Sequence, residues 1–301
     1  LTQMVDALLI ATNNPTALDS IRTPGCKTDL PNIAAKFPAL VWGTSDLEVT
    51  ENYANFDADF VIESSDADLL AAMSSIRGFI PSHITQSTTS MLSIGYGIDV
   101  SKVAPMVNTM WQSFTNAEFQ CEPLLMAQQQ AKQANPMAMM MATGMFAGIK
   151  GVSISINDLS LDLSNPDMPN VNQFDGIVTL SADDPMTLIN TAKSFVPELA
   201  NVAITDDGTP ISLSEYAQGM ALPIDPKLAV NGNHITLYSG DNAAITAQAL
   251  KGEKLEANGL IGMAMQLEPF MKLLVEASEA SGEQLPPEFK SLAQQNISTT
   301  V

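Results

Sequence analysis

The chain has 301 residues, 46% hydrophobic and 15% charged, with 33 Asp and Glu against 13 Lys and Arg. That is enough apolar material for a sizeable core in one or two domains, and it is not the composition of a disordered chain. A net charge of −20, with Lys and Arg scattered singly, sets long-range repulsion against nucleic acid and anionic membrane, so neither is expected as a partner.

The periodicity of apolar residues and the turn signals predict the elements in chain order. A helix is expected at 2–11, then Cys26. Strands follow at 39–43, 46–50 and 57–63, a helix at 67–80, a strand at 91–98 and a helix at 101–115. After Cys121 come helices at 122–134 and 136–147, strands at 151–156, 158–163 and 175–181, and a helix at 185–196. Strands at 201–205 and 210–213 flank Asp206-Asp207-Gly208, a hairpin signal. A strand at 234–239, a helix at 242–251, a strand at 259–266 and helices at 267–280 and 287–295 complete the chain. Runs of strands with meander-like turns, interspersed with helices, predict an α+β fold with mainly antiparallel sheets and packed helices.

The order of these elements repeats. DFVIESSDADLLAAMSSIRGFIP, Asp59 to Pro81, aligns without a gap on DGIVTLSADDPMTLINTAKSFVP, Asp175 to Pro197. Asp59, Ser65, Asp68, Phe79 and Pro81 match Asp175, Ser181, Asp184, Phe195 and Pro197. Both read as a strand, a Ser/Asp cap and a helix stopped by proline. IGYGIDVSKVAPMV, from Ile94, resembles IGMAMQLEPFMKLL, from Ile261, and SDLEV at Ser45 resembles NDLSL at Asn157. We therefore expect internally duplicated strand–helix units. Residues 1–120 form the first half and 121–301 the second, with an extra hairpin and strand–helix insert near 198–258. The phase of the repeat implies that the first half lacks its N-terminal part, upstream of Leu1. Cys26 and Cys121 precede the short strand pair of their own halves.

Motifs of catalysis are missing. HExxH, GxSxG, a Walker loop, GxGxxG and CxxC do not occur. The two histidines, His83 and His234, have no metal-ligand neighbourhood, and both read as structural. The clusters Ser64–Asp68, Ser181–Asp184 and Thr205–Gly208 read as helix caps and a hairpin tip rather than calcium loops. No catalytic residue, cofactor or metal site is assigned, and no enzymatic activity is expected.

NPMAMMMATGMFAG, Asn135 to Gly148, holds five methionines without a charge. Asn135-Pro136 is a helix start, and Met137, Met141 and Met145 share one face. About thirteen residues fall short of the roughly 20 that a membrane span needs. No stretch of the sequence requires a transmembrane helix. Copper(I) ligation by thioethers would want His or Cys nearby, and neither is present. A helix packed on most sides fits best, and a wall for an apolar ligand, formed by Met137, Met141 and Met145, is the alternative.

Few lysines, many Asn, Gln, Ser and Thr, and two widely separated cysteines point to an extracytoplasmic protein in which Cys26 and Cys121 can form a disulfide. An upstream signal or lipid anchor is compatible with this. The duplicated layout, one cysteine per half and the DDGTP turn loosely resemble uncharacterised bacterial envelope proteins, periplasmic or secreted, built from repeated α+β units. The resemblance implies a compartment, the periplasm or cell surface of a bacterium, and no activity. The expected role is a non-enzymatic binding or scaffold protein with an unknown protein partner. The alternative is a carrier of lipid or another hydrophobic small molecule in a cavity lined by Met, Leu and Ile.

Overall fold

A computed structural model describes residues 16, 18–36, 39–49, 53–85, 90–133, 143–144, 146–162, 170–196, 199–214, 224–282 and 296–300. The fold is α+β with a mainly antiparallel sheet. The chain forms two compact units. The first comprises Leu1–Val41, Val61–Ser74 and Ala104–Ala142, and the second Trp42–Phe60, Ser75–Val103 and Thr143–Val301. These units draw on both sequence halves.

The described helices are α1 (Pro24–Ala34), α2 (Ala67–Ser75), α3 (Ser82–Thr85), α4 (Val100–Asn116), α5 (Glu122–Gln133), α6 (Pro185–Phe195), α7 (Asp241–Ala249) and α8 (Leu267–Ser281). The strands are β1 (Ala39–Val49), β2 (Tyr53–Glu63), β3 (Leu92–Tyr96), β4 (Ile149–Asp162), β5 (Asn170–Ala182), β6 (Ile211–Ser212), β7 (Lys227–Asn231), β8 (His234–Ser239), β9 (Ile261–Gln266) and β10 (Asn296–Thr300). Their order in the sheet is β1-β2-β10-β9-β3-β4-β5-β8-β7-β6, and the seven strands from β9 to β6 are antiparallel throughout. β10 pairs antiparallel with β9 and parallel with β2.

In the first unit Thr23 caps α1, its hydroxyl accepting from the Cys26 N–H, and Pro24 occupies the first turn. Cys26 and Cys121 form a disulfide and are both fully buried. Beside it Asp29 accepts from the main-chain N–H groups of Gln120 (2.6 Å) and Cys121 (2.8 Å). A Cβ on Gly25 would sit 2.2 Å from the Gln120 carbonyl oxygen, so only glycine permits this approach.

The expected caps are present. Asp66 accepts from the Leu69 N–H and Asp184 from the Thr187 N–H, as helix starts require. The strand–cap–helix unit recurs as β2–α2 and β5–α6, and a strand leads into a helix at β3–α4 and β9–α8. The sheet order does not show an internal duplication.

Several boundaries differ from expectation. The helix expected over 67–80 ends at Ser75. Beyond it the Gly78 N–H donates to the Gly97 carbonyl and the Phe79 N–H to the Lys150 carbonyl, bonds a helix would forgo. The strand pairs expected over 39–50 and 151–163 are each one strand, and β4 accommodates the break with a bulge between Ile156 and Asp158. Residues 201–205 are not a strand. Asp207 instead accepts from the Thr205 hydroxyl and the Thr209 N–H, Gly208 turns at φ 90°, and Ile211–Ser212 pairs with β7. Helices α1 and α3 and strands β7 and β10 were not expected. The segments expected as helices at 2–11 and 287–295, and most of that at 136–147, lie outside the described residues.

Candidate interaction face

Side chains alternate across the strands of the second unit, so each face can be read row by row. On one face lies the row Gly262–Gly95–Ser153–Thr179–Thr236–Ala229, next to Ala264–Ser93–Ser155–Ile177–Tyr238. Most of these residues are small or hydroxylated, and Ser93, Ser153, Ser155, Thr179 and Thr236 are almost completely buried. They are buried because other chain lies directly on them. Ile80 and Ile84 come so close that a Cβ on Gly95 would lie 2.9 Å from Ile80 Cγ2 and 3.2 Å from Ile84 Cγ2. The Asn258 amide holds this strap, accepting from the Ile80 N–H and donating to the Ile80 carbonyl. Helix α7 covers the adjoining area, packing Ala243 and Ala247 with Ile177, Ala229 and Tyr238. Asp175 receives the first N–H groups of α7, those of Asn242 and Ala243, each at 2.9 Å.

The opposite face carries the bulk. Its two rows are Met263–Ile94–Ile154–Val178–Leu237–Leu228 and Ile261–Tyr96–Val152–Leu180–Ile235–Val230. Helix α6 and the Leu199–Ile204 segment cover one end, packing on Leu228, Val230 and Ile235. The rest is bare. Tyr96, Val152, Ile154, Val178, Leu237 and Ile261 are 39–64% exposed, high values for interior positions of a sheet. Five strands set about 4.8 Å apart make this apolar surface about 19 Å wide. An antiparallel sheet with one solvated face ordinarily turns its polar residues outward. Here the polarity is reversed; contiguous exposed apolar patches occur at interaction sites, in ligand grooves and on aggregation-prone surfaces.

The two histidines meet under the covered face. The Ser181 hydroxyl is 2.9 Å from His234 Nδ1, and the Phe79 ring centroid is 5.3 Å from that of His234. Both ring nitrogens of His83 and Nε2 of His234 are buried, and among the described residues none of the three has a partner within good hydrogen-bond geometry, the Glu253 main chain lying near His234. Burial pushes His83 down to about 4. The Glu253 carboxylate opposes this shift and His234 adds to it. Burial lowers His234 as well, and the nearby Glu253 main chain and side chain oppose it. Ser181 and His234 have the residue types of a nucleophile–base pair, but they are 1% and 0% exposed, so no substrate can reach them.

Cys26 and Cys121, the cysteines singled out in the sequence, are joined. Met137, Met141 and Met145 lie outside the described residues. Among the described residues no group of three His, Cys, Asp or Glu could hold a metal ion, and no helix is long and apolar enough to cross a membrane. The aliphatic face was missed in the sequence because alternation in Gly151–Ile156 suggests Val152, Ile154 and Ile156 as core. The available signal lay in the other phase, where Gly, Ser and Thr recur on β3, β4 and β5 and are suited to a closely laid cover. Comparison with family models, curated proteins and solved structures finds no match for the chain.

Proposed function

We propose that the protein is a non-enzymatic extracytoplasmic binding or scaffold protein whose partner docks on the bare aliphatic face of the sheet. The observation that carries this reading is the pair of uncharged rows, solvent-facing from β9 to β8. Water is a poor neighbour for such a surface, and covering it yields about 25 cal/mol for each Å² of apolar area removed. The Cys26–Cys121 disulfide supports an oxidising compartment, as does the resemblance to bacterial envelope proteins. The test is Ile154→Lys combined with Val178→Glu. The two residues are cross-strand partners, so the new charges attract and the sheet stays paired. The variant should unfold at nearly the wild-type temperature and lose the envelope partner that wild-type protein captures. Undiminished capture of the same partner would sink the proposal. A carrier of lipid or another hydrophobic ligand is the second reading, favoured by the same uncharged rows. It requires an acyl species in native mass spectra of gently purified protein, and a clean apo mass in lipid excess would eliminate it.

A further inference from the structure

The first unit contains a cavity of about 540 Å³, within the range of small-molecule sites. Helix α1 contributes Asp29 and Ile33, α2 contributes Leu69 and Ala72, and α4 with its following turn contributes Met110, Phe114 and Phe119. Spacings of three or four residues (Asp29 and Ile33, Leu69 and Ala72, Met110 and Phe114) bring these side chains onto single helix faces. The walls are mainly apolar, and the Phe114 and Phe119 rings pack together with centroids 5.5 Å apart. The disulfide and the Asp29 hydrogen bonds hold α1 to the segment at Cys121, which fixes one side of the cavity.

The charges are one-sided. Asp29, Asp66, Asp68 and Glu118 line the cavity with one cation, Lys36, so four carboxylates against one ammonium leave a formal charge of −3. Their engagements differ. Asp29 serves two main-chain N–H groups, and Asp66 pairs with Lys36 at 2.6 Å while capping α2. Asp68 and Glu118 are exposed at the cavity and add two further anionic charges to it.

We propose that this cavity binds a small organic amine, with an apolar body against Leu69, Met110 and the two phenylalanines and its cationic end at Asp68 and Glu118. Two terms favour this ligand together. Apolar contact rewards the body, and the carboxylates neutralise the cation. An anionic amphiphile of the same shape would gain the first term and lose the second. The −20 charge of the whole chain adds a field that draws cations and weakens with salt. The site is independent of the aliphatic sheet face, so the two proposals stand or fall separately.

The test uses a matched pair of probes, 4-phenylbutylamine and 4-phenylbutyrate, titrated into the full chain at low salt and followed by amide NMR shifts. The amine should bind with shifts at Leu69, Met110 and Phe114, at least about ten-fold more tightly than the carboxylate. Asp68→Asn with Glu118→Gln should weaken the amine by about five- to ten-fold. Lys36→Gln, which removes the cation and frees Asp66, should tighten it by about two-fold. Equal affinity for the two probes, shifts confined to other residues, or amine affinity unmoved by both variants would overturn the proposal.

Discussion

His83 has a consequence that can be measured without knowing a ligand. Its folded value is about 4, against an ordinary 6.5, because burial disfavours the charged ring. Between these values the unfolded chain binds a proton that the folded chain does not. The His83 contribution is therefore present above pH 6.5 and is lost as pH drops toward 4, about 3 kcal/mol from this group, and His234, also lowered by burial, acts in the same direction. Asp207, held at about 2 first of all by the Thr209 N–H, acts only below its ordinary 3.8, outside this window. Urea midpoints should decline between pH 6.5 and 4.5 in the wild type, and His83→Leu should make that decline shallower, leaving the part that His234 contributes. A wild-type midpoint that is constant over this range would refute the assignment. The structural reading of both histidines was available from their lack of ligand neighbours. Their meeting with Glu253 was not, because it depends on the strap of Ile80 and Ile84 crossing the sheet.

At the scale of elements, the disulfide closes a sequence separation of 95 residues. Replacing Cys26 and Cys121 with alanine should cost about 3–5 kcal/mol, with chain-entropy arguments placing loops of this size near the upper end. Hydrogen exchange should quicken in α1 and α5 and stay slow in β4 and β5. Unchanged exchange in α1 would show that the Asp29 hydrogen bonds suffice. Existence and type were legible for the long elements: β4, β5, α4 and α6 carry enough periodicity to be found from sequence. Short elements were not. β10 owes its existence to two neighbours supplied by other parts of the chain, and α1 was obscured by its internal Pro31 and lysine-bearing face. The Asp206–Gly208 turn chemistry was read correctly as a turn, but its flanks pair elsewhere: Ile211 joins β7, and Asp207 bridges to Asn231.

For the whole molecule, the charge of −20 is a source of self-repulsion in the folded state. Raising sodium chloride from 10 to 150 mM should increase the unfolding temperature by about 3 °C, corresponding to roughly 1 kcal/mol. A fall over that range would mean that local ion pairs, such as Lys150 with Asp99 and Asp183, outweigh the general repulsion. The α+β class and antiparallel preference followed from the sequence pattern because both depend on local periodicity. The grouping of residues into two units did not, since each unit gathers three separated segments. The repeated blocks describe similar local chemistry, strand into capped helix, while the place of each strand in the sheet is decided by partners far away in the chain.

The reversed sheet also alters how this protein should be engineered. A solubility scheme guided by hydropathy would keep Val152 and Ile154 and decorate Ser153 and Ser155 with charge. That would drive ammonium or carboxylate groups beneath the strap, where Ser93 and Ser155 already touch at 2.7 Å. As far as folding is concerned, the positions open to polar replacement are the aliphatic ones of the proposed docking face, Val152, Ile154 and Val178, and threonine there would retain the β-branched shape that the strands favour. The residues that look decorative form the foundation, and those that look like core can be redesigned.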